Sequence, residues 1–581
     1  MKSRLLLLTV LAFATAVLLA FSVNESSSPS FIKRTATESL KKNIVRCGPD
    51  WEALAYFLEE TDIPPIPGAG NHQWKISTKN DSAQFYFNQG MNMYYSFHII
   101  EAMASFKKAA KFDPKCAMLY WAQALAYGPN INDVGYAASP DALLASGRAI
   151  EYCGPCTEKE EMLIRAQRSR YSDDSTESRA KLNQVYVDLM KETYDQYPAD
   201  PDVAALYADA LMLQHPWDLW KTDGTPKPWT PLIRSVLEKL LVKYPNHPGA
   251  NHYYIHVMEP SPYFAKAIPS ADRLGKITPG LSHTVHMPSH IYLRTGNYSK
   301  GISVNENAVG SYQKVTKLYA PVAGNDFLYV IHNLHMQTNN AMLGGYRAQS
   351  MIAAEKTVNS IPKDYLAIPA PMGSYVQYIH STPVLVHVRF GNWQSLLDMP
   401  QPAATQVYSN ALYHFGRGMA FAATSKITDA KNELAQLQQL MKDSSLFIPF
   451  TPFSPAIDGI TIAEQLLTGT IALSEQHNDL AIAAFQKAVT IEENMVYNEP
   501  RDWLLNPKHY LGNALLKAGR HAAAKQVFLA DLKNNSENGW ALYGTWQALT
   551  AEKNKTGADK MLLRFRKAFS KADIKITSAV Y

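Results

Sequence analysis

The chain has 581 residues, 46% of them hydrophobic and 18% charged, with 17 histidines and a formal net charge of +5. That length exceeds what one compact core usually holds, so it implies several units or an extended repeat array. The weak positive balance, with Lys and Arg dispersed, excludes a nucleic-acid surface.

Residues 1–22 open with Lys2 and Arg4, run apolar from Leu5 to Phe21, and end on the small-x-small stretch Ala20-Phe21-Ser22. This predicts a secretory signal peptide and a secreted or periplasmic protein. The alternative is an uncleaved anchor, since the apolar run is at the lower limit for spanning a bilayer. No cysteine follows it, which argues against a lipoprotein. Loss of Lys2 and Arg4 leaves a net charge of +3, and no later stretch holds 18 uninterrupted apolar residues, so no membrane span is expected after cleavage. Residues 23–80 read as an irregular N-terminal segment and linker, with "DIPPIPGAG" at 62–70.

Four cysteines follow the leader: Cys47, Cys116, Cys153 and Cys156. In an exported protein they are expected to pair. "CGPC" at 153–156 matches the thioredoxin redox motif by letter, but no strand precedes it, and Thr157 with Glu160 forms a capping box for the next helix. A structural disulfide is the expectation there.

From Ala83 onward the periodicity is helical. Gly90, Ala102, Phe106, Ala109 and Pro114 fall at positions 8, 20, 24, 27 and 32 of a tetratricopeptide-like hairpin. Small residues at 8 and 20 let two helices approach, the large residue at 24 fills the gap beside them, and the proline stops the second helix. The frame recurs with Gly418, Ala430 and Leu434, with Gly469, Ala481, Phe485 and Ala488, and with Gly512, Ala524 and Phe528; another unit opens at Trp540. The expected fold is all-α, a superhelical solenoid of such hairpins. It divides into N-terminal repeats over 81–200, central repeats over 201–400 and C-terminal repeats over 401–581. Two long aromatic loops, 214–230 and 446–455, interrupt it.

Seven histidines crowd the central repeats: His252, His256, His283, His286, His290, His332 and His335. With Pro248, Ser282 and Ile331 as position 1 of three successive hairpins, His252 and His286 take position 5 and His256 and His290 position 9. His283 and His332 take position 2, and His335 position 5. Positions 2, 5 and 9 lie within about 60° on a helix, on the face expected to line the concave groove. Neighbouring helices pack about 8–10 Å apart, a gap that two imidazoles can bridge through one ion. The reading is a metal site held by His252, His256, His286 and His290, with His283, His332, His335 and Glu259 in reserve. Glu259 is also a candidate general base. A single histidine on a helix is ordinarily just hydrogen-bonded, which is how His98, His380, His387, His414 and the distant His509 are read. The rival for the cluster is a His/Asn/Tyr groove gripping a polar or anionic ligand. Pro288 at position 7 either kinks its helix or begins it; in the second case His283 and His286 sit on a loop.

Imidazole ligands without a nearby thiolate suit a transition metal: copper, zinc or iron. Seven candidates exceed the need of one ion, so two ions bind or some histidines orient others. "YWAQALAYGPNIND" (120–133) and "YNEPRDWLLNPKHYLG" (497–512), with Tyr497, Glu499 and Asp502, are candidate substrate walls.

The runs "FNQGMNMYYSFHIIEAMASFKKAAKFDPKCAMLYWAQALAYGPNIND", "HPGANHYYIHVMEPS", "HTVHMPSHIYLRTGNY" and "NEPRDWLL" resemble a group of exported bacterial tetratricopeptide-repeat proteins, over most of residues 80–545. The resemblance implies fold and export and leaves activity open. Two functions follow: a metal-dependent oxidoreductase or hydrolase acting on a small molecule or peptide in the groove, or a non-catalytic adaptor that docks a peptide or protein partner there. The chain has no nucleotide loop, nucleophile elbow or zincin motif.

Overall fold

The computed structural model describes residues 49–581 except 134, 135, 137, 175, 321–325 and 451. The expected signal peptide, Cys47 and the beginning of the 23–80 segment therefore lie outside the described residues. The fold is all-α. Among the described residues the β-structure is an isolated bridge between Trp220 and Pro226.

Short turns join consecutive helices into antiparallel pairs, as in Asp81–Tyr94 with Ile99–Phe112 and Ala456–Ser474 with Asn478–Asn494. The small-to-large pattern explains the pairing. A Cβ added to Gly90 would stand 2.3 Å from the Phe106 ring, one on Gly469 would stand 2.5 Å from Phe485, and one on Gly512 would stand 2.4 Å from Phe528. Position 8 must lack a side chain because position 24 occupies its space. The Gly418 unit departs from this rule: its close neighbour is Leu467 of the next hairpin, not Leu434. The capping box at Thr157 and Glu160 forms as expected, on a helix spanning Glu158–Arg168. The expected disulfide does not: Cys116, Cys153 and Cys156 are free thiols. The 153–156 turn packs them into an apolar setting, where burial pushes the Cys116 thiol up to about 11.

Two large apolar cores form, one drawn from residues between Leu54 and Tyr319 and one from residues between Ile331 and Ala579. They are joined across distant sequence. The Arg294 guanidinium donates to the Asn534 carbonyl at 2.9 Å and Ser536 N–H donates to the Arg294 carbonyl at 3.1 Å, while within the second core the Trp540 indole donates to the Met342 carbonyl at 3.0 Å. The array thus curls until its C-terminal hairpins touch its centre. That closure lays the 495–506 loop against the histidine-bearing helices.

Phe528 is pinned by two glycines, since a Cβ on Gly544 would also come within 2.3 Å of its ring. Gly512→Val is expected to destabilise the fold by about 1–3 kcal/mol through overpacking. Gly310→Ala, in an open helical position with nothing within 4 Å, should stabilise it by about 0.5–1 kcal/mol. Thermal unfolding of the two variants should shift in opposite directions.

Candidate metal centre

His252 and His256 sit one helical turn apart on Pro248–Met258. His283 and His286 lie on Ser282–His286, and His290 on Pro288–Thr295. Met287, between the last two helices, keeps right-handed helical angles, so this is one helix broken at the proline. Pro288 is the first residue of the second segment, yet His283 and His286 are helical and not on a loop.

The 34-residue register produces two copies of one arrangement. In the first, His252 Nε2 stands 3.0 Å from His256 Nε2 and 3.0 Å from His283 Nε2. In the second, His286 Nε2 stands 2.8 Å from His290 Nε2 and 3.1 Å from His332 Nε2. Each group takes positions 5 and 9 of one hairpin and position 2 of the next. Within each, the candidate ligand atoms all lie within 4.8 Å of one another. With metal–nitrogen bonds of about 2 Å, nitrogens around a tetrahedral ion stand roughly 3.3 Å apart. In each group two of the three nitrogen–nitrogen distances come within about half an ångström of that value, and all three nitrogens lie close enough for modest ring movements to form a three-imidazole shell with one position left over.

This geometry corrects the expected set. His252, His256, His286 and His290 do not form one four-histidine group; adjacent hairpins are offset, so each pair recruits position 2 of the next unit instead. His335 joins neither group: its Nδ1 lies 3.1 Å from Thr382 Oγ1 and its ring packs on Tyr378. The lone His509 is hydrogen-bonded to Asp531 at 2.9 Å. The expected open groove is filled. His252, His286 and His290 are wholly buried and His283 is 5% exposed, whereas the His332 side chain keeps 18% exposure.

The far nitrogens are fixed too. His252 Nδ1–H donates to the Tyr95 carbonyl at 2.7 Å, and His286 Nδ1–H donates to Asn305 Oδ1 at 2.6 Å. The Asn305 amide is itself oriented by donating to the Gly301 carbonyl at 2.8 Å. In both groups the central Nε2 therefore presents a lone pair to its two neighbours. Glu259 serves both groups at once. One oxygen lies 3.0 Å from His256 Nδ1 and the other 3.0 Å from His290 Nδ1, and Tyr497 OH donates to the second at 2.8 Å. Glu259 is fully buried behind the rings and meets their Nδ1 atoms. It is placed to orient ligands, and its oxygens do not face the converging Nε2 atoms as a general base would.

Charge follows the same division. Burial pushes His252, His283 and His286 well below the ordinary imidazole range and His332 down to about 3. Burial also opposes the charge on His256, but hydrogen bonds to Glu259 and Glu499 outweigh it and raise that imidazole to about 9; burial opposes the charge on His290 too, but the adjacent Glu259 charge outweighs it and raises that ring. Glu259 is pushed up by burial and pulled further down by His290 and His256, ending well below the carboxylate range. Neutral imidazoles are the form that binds metal.

Three residues close the space around the rings, and all three hold positive φ without being glycine. Phe97 (φ 55) packs on His252, His256 and His283, with ring centroids 4.5, 5.8 and 5.4 Å away. Trp217 (φ 61) meets His256 edge-on at 5.5 Å. Glu499 (φ 54) brings one oxygen to 3.1 Å from His256 Nδ1 and the other to 4.0 Å from His332 Nε2. Left-handed backbone at bulky residues costs of order 1–3 kcal/mol each and persists where the surroundings demand it. A small cavity lined by Ile131, Met212, Trp217 and Leu219 ends on His256. Sequence reading missed Tyr95, Phe97 and Asn305. Asn305 left a signal, since it occupies position 24, where other units carry Phe.

A third group, His72, Asp202 and His247, is a hydrogen-bonded brace. His247 Nδ1 accepts the Ala250 N–H at 3.1 Å, which spends that lone pair on capping the helix. Asp202 Oδ1 accepts from His72 at 2.7 Å and from Tyr95 OH at 2.8 Å. Tyr95 thus ties the brace to His252.

The described residues define a class: an all-α solenoid of tetratricopeptide-like hairpins enclosing two three-histidine groups. No family model matches the chain, and no curated protein matches it. Among solved structures, the human IFIT1 dimer with m7Gppp-AAAA is similar at 10% identity and TM-score 0.30, over 86% of this chain and 92% of that one. The APC/C hetero-tetramer Cut9–Hcn1 is similar at 13% identity and TM-score 0.27, over 93% and 80%. Those values are too low to transfer either protein's ligand or partner.

Asp202 yields a pH-dependent prediction. Burial raises its pKa, but hydrogen bonds from His247 and His72 outweigh that and hold it well below the usual carboxylate range. A depressed folded-state pKa contributes stability above about pH 4, and that contribution is lost as pH falls toward the folded value. Asp202→Asn is expected to cost about 3–5 kcal/mol at pH 7, with the gap to wild type narrowing below pH 4 in denaturation measurements.

Proposed function

We propose that the protein is an exported metalloprotein that holds two transition-metal ions, one in each three-histidine group, and acts as a metal-dependent oxidoreductase or hydrolase. The observation that carries this reading is the convergence, twice, of three Nε2 atoms whose buried central imidazole has its other nitrogen committed as a donor. Lone pairs facing one another at about 3 Å repel unless a proton or a cation lies between them; the raised His256 and His290 supply a proton to one pair in each group, and one ion would serve all three nitrogens. An adaptor has no use for ligand atoms turned inward and sealed from a partner.

Both donor sets are wholly imidazole, which suits copper or zinc better than ions that favour oxygen ligands. Iron remains within the expected range of metals. Three protein ligands leave a position for substrate or water. The 18% exposure of His332, with Glu499 at its side, marks the second group as the one reached from solvent. A copper ion there would exchange electrons with a substrate, and a zinc ion would lower the pKa of a bound water. Export is supported by the character of residues 1–22.

Elemental analysis of protein made without a histidine tag should give about two metal ions per chain. His286→Ala/His290→Ala should empty one site, and His252→Ala should empty the other. Absence of stoichiometric metal from the wild-type chain, after reconstitution with copper, zinc or iron, would overturn the reading. Glu259→Gln separates paired sites from independent ones: it should weaken both by about 10–100-fold, whereas Asn305→Ala should weaken only the His286 site by that factor. Competitive chelator titration measures each.

A further inference from the structure

A second cavity lies away from the histidine groups, between Met372–His380, Val407–Ala423, the start of Ala456–Ser474 and the 495–506 loop. Four aromatic rings line it: Tyr375, Tyr378, Tyr408 and Phe450. Tyr375 and Phe450 stand 5.8 Å apart between centroids, and Tyr378 and Tyr408 also 5.8 Å. Asp502 also lines it. The unfilled space is about 380 Å³ including the open side, so the enclosed part takes a headgroup and its mouth admits the chain behind it.

Three observations define what fits. Among the described residues lining the cavity none is basic. Arg501, beside Asp502 in sequence, is committed elsewhere: it donates to the Met495 carbonyl at 3.0 Å and to Glu492 at 3.2 Å. Asp502 has Asn498, which donates to its two oxygens at 3.1 and 2.9 Å. Burial pushes this carboxyl up to about 7, as expected where no counter-ion faces it. Finally, the Tyr378 hydroxyl has no hydrogen-bond partner, although the residue is only 2% exposed and lines the cavity.

We propose that this cavity binds the ammonium group of an alkylamine, inserted head first, with Asp502 as counter-ion, the Tyr378 oxygen as a further acceptor and the aromatic rings as a cation-attracting wall. Ring faces attract a cation within about 6 Å of their centroids, and more strongly when it is desolvated. A partly buried carboxylate without a cationic partner supplies the specificity, because a neutral isostere leaves it unpaired. An anion is excluded by Asp502. The cavity shares the 495–506 loop with Glu499, and Tyr378 touches His335 at 5.3 Å between centroids, so an amine held here would sit on the same loop as the proposed metal centre.

The test is calorimetric titration of the full chain with n-butylammonium chloride, against n-butanol and sodium butyrate. Saturable binding of the ammonium is expected, at least about 10-fold tighter than the alcohol, with none for the carboxylate. Asp502→Asn should weaken it by about 10-fold or more, and Phe450→Ala, at a partly exposed position that folding tolerates, by several-fold. The titration is repeated on His286→Ala/His290→Ala protein stripped with chelator. Retained binding assigns the site to this cavity whatever the fate of the metal reading; binding lost with the metal assigns the amine to the ion and overturns the proposal. Equal binding of butanol, or no effect of either cavity variant, overturns it as well.

Discussion

Everything in the centre of this molecule depends on one electrostatic constraint: six imidazoles, five of them buried, are gathered together and their inner nitrogens point at one another. Neutral rings tolerate burial, and desolvation keeps four of the six in that form. Neutral rings also carry lone pairs, and lone pairs cannot crowd without something positive between them. Two carboxylates reach the rings, Glu259 and Glu499, and Glu259 is divided evenly, one oxygen to each group. That division ties the geometry of His256 to that of His290, so neither group is built independently of the other. A carboxylate behind a ligating ring fixes its tautomer and raises its basicity; here one side chain does so for two rings.

The surrounding architecture is organised to maintain that burial. Hairpins alone would leave positions 2, 5 and 9 on an open concave face. The face is closed by segments remote in sequence: the turn carrying Tyr95 and Phe97, the loop carrying Trp217, and the loop carrying Tyr497 and Glu499. The last of these arrives only because the solenoid curls back, pinned where Arg294 meets Asn534 and Ser536. The strained backbone at Phe97, Trp217 and Glu499 is consistent with this arrangement. A turn free to relax would not hold a bulky residue at positive φ, and each of these side chains lies against the histidine rings.

Much of this was legible in the sequence because it is periodic. The small-to-large pairing of Gly90 with Phe106 and of Gly512 with Phe528 repeats in one frame, and the fold follows from it. The histidines share that frame, so their common face could be read from spacing. Their grouping could not. Which nitrogens converge depends on the offset between adjacent hairpins, a quantity of tertiary packing, and it moved His283 and His332 from reserve to full membership while leaving His335 outside. Glu259 was legible as a neighbour but not in its orientation, which is set by Tyr497, 238 residues away. Phe97 and the Tyr95 carbonyl left no signal, since one is an ordinary apolar letter and the other a backbone atom. The thiols show the opposite failure: the apparent export leader made a bridge at "CGPC" the expectation, and the turn it forms leaves Cys153 and Cys156 unbridged.

The duplication itself bears on how such a centre arises. A repeat protein copies positions along with hairpins, so a two-histidine motif at positions 5 and 9 is copied at one repeat length. Two pairs alone would make two incomplete sites. The added element is position 2, occupied by histidine in the hairpin after each pair, which brings a third imidazole to the boundary between units. The array of pairs then ends where the next hairpin places His335 at position 5 and Asn339 at position 9. With no imidazole at position 9, His335 has no partner one turn on, and it becomes a hydrogen-bonded residue of the wall near Thr382 and Tyr378. The number of groups is thus set by where the 5-and-9 pair stops, and their spacing by the pitch of the solenoid.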